Sequence, residues 1–393
     1  MTRQKLLVEP FDYELEKEKD GTLVLYVLAN QSAFYYGLEH FLSEEESVEY
    51  LRQGRGFLAG LAKRIRSRPG EAVPDLREAV RLLVAGEVVA IPTETVYGLA
   101  ADAANPQAVA KIFALKERPA DHPLIVHIAG AQDLGKWVEQ VSANAHKLSA
   151  KFWPGPLTMI LRKSARVPAL VTGGQDTVGI RAPSHPVAQA LLKEFAKVGS
   201  GALAAPSANK FGHVSPTTLE HVLQEFGPEL PFVNGGPCAV GIESTIVDLS
   251  REHPVLLRPG AITREQIAGV LGVELRERDG QAPRASGTLA AHYAPHTPLA
   301  LVDWKLLNDE AGKPGRNAVL ALRAKPPSFA GRMWIAAPED PARYAHDLYA
   351  NLRKLDASGA QRIVVEMPPS DAQWEAVNDR LARAAAGSGD DEP

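Results

Sequence analysis

The feature that most constrains this chain is the run from Asp75 to about Val273, where short apolar strands alternate with helix-patterned segments. Val88–Ile91, Leu124–Ile128, Leu157–Leu161, Val178–Arg181, Ala202–Ala205, Ser244–Leu249 and Val255–Arg258 read as strands. Helix starts are marked between them by Asn105-Pro106, Ser142, Pro186, Ser215-Pro216 and the capping box Thr263–Gln266. Such alternation predicts an α/β fold on a twisted, open mixed sheet with flanking helices. The strand Val88–Ile91 runs straight into Pro92, which cannot donate to a sheet ladder, so it should end or lie at an edge there. It delivers Thr93, Glu94, Thr95 and Tyr97 to a strand end, where open α/β sheets tend to place ligands. A turn whose threonines only cap backbone is the alternative.

The flanking segments differ in character. Residues 1–70 read as a small α+β extension, with a strand at Thr22–Leu28 and one helix opened by the capping box Ser43–Glu46. Val48, Leu51, Leu58, Leu61 and Ile65 give that helix its apolar stripe. Lys63, Arg64, Arg66 and Arg68 at its end complement the helix dipole, or form a basic patch for weak RNA contact. Ser67–Val73 reads as a linker. Gly54-Arg-Gly56 imitates a dinucleotide fingerprint but sits inside a helix pattern, so it is rejected. Residues 75–273 form the main domain and residues 274–297 a linker or lid. Residues 298–387 form a smaller Rossmann-like α/β domain with strands Leu299–Val302, Ala318–Ala321, Met333–Ile335 and Ile363–Glu366. Its helices are expected at Pro341–Leu355 and Ala372–Ala386.

Composition narrows the function. A hydrophobic content of 45%, charged content of 23% and net charge of −4 suit a soluble cytoplasmic protein with no global field for nucleic acid. No apolar run approaches the roughly 18 residues of a membrane span. The single cysteine, Cys238, rules out an intrachain disulfide and a cysteine-based zinc site. There is no P-loop, no G-x-S-x-G elbow and no H-E-x-x-H helix, and no protein metal site is expected. What remains is a set of strand-end clusters: Lys116-Glu-Arg118, His122 to His127, Thr177 to Arg181, Ser207-Ala-Asn209, Ser215-Pro216, Glu243-Ser244-Thr245 and Leu257-Arg258-Pro-Gly260. Each alone could be a cap or turn. Together they make a basic, hydroxyl-lined concavity suited to a polyanion such as ATP, gripped by guanidinium forks.

In sequence order, P-T-E-T-V-Y-G-L, K-x-R, S-x-N, E-S-T and L-R-P-G resemble the motifs of the YrdC-like domain family. The later His292-Tyr293-Ala294-Pro295 and the extra α/β domain are similar to its long, two-domain threonylcarbamoyl-AMP synthase form. The resemblance covers about residues 75–386. It implies that L-threonine, bicarbonate and ATP, with Mg²⁺, give threonylcarbamoyl-AMP and pyrophosphate. Downstream threonylcarbamoyl-transferase proteins would then use that product to modify tRNA beside the anticodon. It also implies roles: Thr95, His127, Arg181, Ser207 and Ser244 for threonine, with Arg181 on its carboxylate. For ATP it implies Arg118, His122, Thr177, Asn209, Ser215, Arg258 and a covering Tyr293. Lys116 would stabilise carbamate and phosphate charge. Ala285-Ser286-Gly287 stands where relatives carry Ser-Pro-Gly, and His122 where asparagine is common. A carbamoyltransferase using carbamoyl phosphate, or a non-catalytic RNA-binding module, are the rival readings; the first lacks the H-Y-A-P linker and this last domain.

Overall fold

The computed structural model describes residues 4–9, 13–17, 22–31, 34–67, 73–74, 76–313 and 316–388. The chain divides into two units, residues 1–81 with 233–236, and the remainder. In the first, strands β1 (Gln4–Glu9), β2 (Tyr13–Lys17), β3 (Leu23–Gln31), β4 (Phe34–Phe41) and β5 (Val73–Pro74) form an antiparallel meander in that order. Tyr13, Leu15, Leu25 and Val27 bury one face of it against Leu58 and Leu61. The single helix read from the apolar stripe is two: α1 (Glu44–Gln53) and α2 (Arg55–Ser67), broken where Gly54 takes a φ of 64°. Only glycine adopts that left-handed backbone cheaply, so the stripe continues while the helix axis does not. The Ser43–Glu46 capping box is present as read. Lys63 is exposed, whereas Arg68 and the side chains of Arg64 and Arg66 lie outside the described residues.

After α3 (Arg77–Val84), the second unit opens with an eight-stranded sheet. Its strands are β6 (Val89–Ile91), β7 (Gly98–Asp102), β8 (Ile125–Ile128), β9 (Leu157–Arg162), β10 (Thr177–Arg181), β11 (Ala202–Ala204), β12 (Thr245–Asp248) and β13 (Val255–Arg258). Their spatial order is β13-β12-β9-β10-β8-β11-β7-β6. The sheet is mixed, as expected: β10 runs parallel to β8 and β12 to β9, and the other neighbours are antiparallel. β6 both stops before Pro92 and lies at the sheet edge. Helices α4 (Pro106–Lys116), α5 (Ala143–Phe152), α6 (Ala169–Thr172), α7 (Pro186–Val198), α8 (Leu219–Phe226) and α9 (Arg264–Leu271) complete this part. Asn105, Ser142 and Thr263 cap α4, α5 and α9 as their residue types predict. Ser215 opens no helix; Thr218 caps α8 instead, and Ser215 is drawn inward to bond Glu243.

The last part is a four-stranded parallel sheet of β14 (Leu299–Val302), β15 (Asn317–Ala321), β16 (Met333–Ala336) and β17 (Arg362–Glu366), ordered β14-β17-β15-β16. Helices α10 (Leu307–Gly312), α11 (Pro341–Asp356) and α12 (Glu375–Gly387) pack on it. Tyr344, Leu348, Tyr349 and Leu352 of α11 and Val377 and Leu381 of α12 bury in one core with Val96, Val214, Ile242 and Tyr293. Each fully buried aliphatic side chain there is worth about 1.5–3 kcal/mol. That shared core holds the linker and the terminal helices against the strand-end loops of the larger sheet.

Candidate active site

Residues that follow β6 and β11, strand residues of β8, the last residues of β10 and β13 and the segment before β12 come together over the larger sheet. They enclose a cavity of about 50 Å³. Its walls include Thr95, Arg118, His127, Arg181, Ser207, Ser244, Arg258 and Tyr293. All five positions that the resemblance assigns to threonine are therefore gathered there, with three of those assigned to ATP. Lys116, His122, Thr177, Asn209 and Ser215 do not line it.

Local chemistry explains the arrangement. Thr93 Oγ1 accepts the amides of Thr95 and Val96 and donates to the Val96 carbonyl, folding the loop back after Pro92. Thr95 Oγ1 then accepts from Arg181 Nη1 at 2.8 Å. Arg181 Nη2 lies 2.8 Å from Glu94 Oε2, an ion pair whose alignment falls short of a hydrogen bond, and Arg181 Nε has no protein acceptor. The guanidinium is thus charge-balanced by Glu94 yet keeps an N–H for a further anionic oxygen. Beside it, His127 is held neutral: burial, then the Arg181 charge, press its pKa down to about 3. Ser244 Oγ lies 2.8 Å from Thr158 Oγ1 and accepts from Arg258 Nη2 at 3.3 Å. Arg258 also donates through Nε and Nη2 to the Ser244 carbonyl.

The K-x-R pair splits at Glu117, whose φ of 56° caps α4 in the left-handed region. Arg118 turns toward the cavity, donating to Pro123 O at 3.0 Å, with burial lowering its pKa to about 10. Lys116 turns away. Its ammonium donates to the carbonyls of Ser207 (2.7 Å) and Asn209 and is buried, which lowers its pKa. In this structure it braces the S-x-N turn rather than facing the cavity. Asn209 points its amide at the Lys210 and His213 carbonyls. His122 sits edge-on to Phe211, and Thr177 lies at the far end of β10 from Arg181.

The linker supplies the remaining wall. Tyr293 is buried at a φ of 63°, a strained conformation for a bulky residue, and its hydroxyl lies 3.4 Å from Arg258 Nη1 and 3.4 Å from Gly287 O. Arg258 Nη1 also bonds Ser286 O at 2.8 Å, and Ser286 Oγ donates to Pro123 O at 2.7 Å. The serine that replaces the expected proline therefore latches the linker to the Arg118 loop. Thr93, Glu243, Ser286, Gly287 and His292 also line the cavity, though none was assigned a role from sequence. All lie inside or beside quoted motifs, so motif membership was their signal. Among the described residues no group of three or more His, Cys, Asp or Glu could hold a metal ion.

This architecture defines the class: a YrdC-like α/β enzyme domain joined by a linker to a second α/β domain. A family model described as "Telomere recombination", covering Sua5, YciO and YrdC, matches residues 81–260. A second, described as "Threonylcarbamoyl-AMP synthase, C-terminal domain", matches residues 262–386. The threonylcarbamoyl-AMP synthase of Bacillus subtilis is 39% identical over 329 residues, 80% of this chain and 94% of that protein. That of Pyrococcus abyssi is 35% identical over 79% of this chain and 94% of its own. The crystal structure of P. abyssi Sua5 complexed with L-threonine superposes with a TM-score of 0.72 at 34% identity, covering 80% of this chain and 94% of that one. The chain belongs to the threonylcarbamoyl-AMP synthase family, whose members are nucleotidyltransferase-type enzymes.

Proposed function

We propose that this protein makes threonylcarbamoyl-AMP and pyrophosphate from L-threonine, bicarbonate and ATP. The product would serve threonylcarbamoyladenosine formation beside the anticodon of tRNA by downstream transferases in the cytoplasm. One observation carries the reading: Thr95, His127, Arg181, Ser207 and Ser244 converge on the cavity that Arg118, Arg258 and Tyr293 close. The relative crystallised with L-threonine adds support.

The chemistry suits these groups. Threonine presents a carboxylate to the spare N–H of Arg181 and its amine and hydroxyl to neutral His127 and the hydroxyls. The amine adds to the carbon of bicarbonate, losing water, to give a carbamate. A carbamate oxygen then attacks the α-phosphorus of ATP, forming the O–P bond as pyrophosphate leaves. Arg118 and Arg258 offset the developing charge, and little covalent work falls to the protein. Both carboxylates at the site, Glu94 and Glu243, are committed to arginines. Mg²⁺ would therefore ride on the triphosphate, a usual mode for that ion. Lys116 enters this account through the Ser207 turn it holds. Carbamates decay in water, so the linker matters as a cover. A cavity of about 50 Å³ has room for a few waters, at about 10–15 Å³ each, and none for a nucleotide. The linker must open to admit ATP and close again for the chemistry.

The test is to incubate the protein with ATP, Mg²⁺, labelled threonine and bicarbonate and to resolve the products. A threonine-dependent AMP adduct supports the reading. Its absence, or an adduct from carbamoyl phosphate without threonine, overturns it.

A further inference from the structure

Arg380 of α12 is fully buried, and its guanidinium reaches three separate pieces of the site. Nε donates to Glu243 Oε2 at 2.9 Å. Nη2 donates to the Pro259 carbonyl at 3.0 Å and lies 3.4 Å from the Glu243 carbonyl. Its Cζ lies 5.3 Å from the centre of the Tyr293 ring, within cation–π range. Nη1 is paired with Asp379 at 2.6 Å. Glu243 and Pro259 immediately adjoin Ser244 and Arg258, and Tyr293 is the linker residue that touches Arg258. One side chain from the last helix thus ties together the segments that carry Ser244, Arg258 and Tyr293. Tyr349 of α11 completes the knot, donating to Glu243 Oε2 at 2.7 Å with its ring 5.6 Å from that of Tyr293. Ser215 Oγ donates to the other Glu243 oxygen at 2.6 Å.

We infer that Arg380 is a positioning residue through which the C-terminal domain sets the nucleotide-binding half of the site. The inference rests on the functional reading above, which places ATP on Arg258 and Tyr293. Two observations make it specific. Arg380 bonds none of Thr95, His127, Arg181 or Ser207 in the contacts of its guanidinium, and of the threonine positions only Ser244 adjoins its partners, so its loss should spare most of the threonine half. A planar fork with donors on three sides is also what spans three acceptors at once; a lysine ammonium is a point charge and cannot reproduce it.

The test compares the full-length protein with Arg380→Lys, which keeps the charge and removes the fork, and with Tyr349→Phe, which removes one bond to Glu243. Calorimetric titration with a non-hydrolysable ATP analogue and, separately, with L-threonine is read beside the KM of each substrate. Arg380→Lys is expected to weaken nucleotide binding about tenfold or more, the scale of about 1.4 kcal/mol, with threonine affinity within about twofold. Tyr349→Phe should shift the same parameter in the same direction by less. Equal loss for both ligands, or unchanged nucleotide affinity, overturns the inference. Failure of the functional reading looks different: the unaltered protein binds the ATP analogue but forms no threonine-dependent adduct.

Discussion

Gly287→Ala tests whether linker closure is required for the reaction. Gly287 has a φ of 69°, and a β-carbon there would overlap the Tyr293 hydroxyl and stand 2.7 Å from Arg258 Nη1. An L side chain in that backbone region costs about 1–2 kcal/mol. The overlap also sacrifices the Tyr293 contacts to Arg258 and Gly287, which at 3.4 Å are weak and worth about 0.5 kcal/mol each. The closed linker is therefore disfavoured by about 2–3 kcal/mol, which lowers the closed-to-open ratio about 30- to 150-fold and, where the two forms start near balance, the closed population about 15- to 75-fold. Adduct formation under saturating substrates should fall by that factor, because an open linker exposes the carbamate to water. The thermal melting temperature should barely move, since neither sheet is touched. Trypsin should cut faster at Arg278 or Arg284, which lie in the linker. Wild-type turnover in Gly287→Ala would refute the closure argument. Lost turnover with an unfolded chain would refute its locality.

Other consequences follow from buried charge and domain structure. Arg181→Ala leaves the Glu94 carboxylate buried and unpaired, so it should cost about 3–5 kcal/mol in urea unfolding as well as threonine binding. Adding Glu94→Gln should recover part of the stability but none of the binding, and stability with no recovery would contradict the pairing. Glu243 titrates at about 2 against an ordinary 4.5, with the Arg380 charge the leading factor that overcomes its burial. That difference is worth about 3 kcal/mol, fully present above pH 4.5 and lost as pH falls toward 2. His127, pressed from 6.5 to about 3, acts in the same direction from pH 6.5 downward, because only the unfolded chain takes up its proton. Stability measured against pH should therefore decline below 6.5 and steepen below 4.5. Glu243→Gln should flatten the lower limb, and an unchanged limb would count against the pairing. Deleting residues 1–70, which have their own core, should leave adduct formation within about twofold; inactivity in a folded remainder would assign that unit a role in catalysis.

What could be read in the sequence was local. Helix caps at Ser43, Asn105, Ser142 and Thr263 announce themselves because a short side chain satisfies amides two or three residues on. The strands of both α/β sheets are mostly apolar runs, so they too were legible, apart from β7 (Gly98–Asp102), whose glycine and alanines carry no strand signal. β1, β2 and β4 were not, since runs such as Gln4–Glu9 and Tyr13–Lys17 mix polar residues into a sheet covered on one face. Gly54 was passed over because the apolar stripe continues across the break. Around the cavity, the motifs named segments that the fold brings together but not the direction of each side chain. Lys116 and Arg118 are two residues apart, and the left-handed turn at Glu117 sends one to backbone carbonyls and the other to the cavity. Pairs such as Arg181 with Glu94 and Arg380 with Glu243 join residues far apart in the chain. No periodicity or spacing encodes such pairs, and only the folded topology brings them together.

The most direct test follows the carbon of bicarbonate. With labelled bicarbonate, unlabelled threonine and Mg-ATP, the label should appear in an AMP adduct that requires both threonine and ATP, with one pyrophosphate released per adduct. Pyrophosphate release without incorporated carbon, or incorporation that does not depend on threonine, would contradict the account.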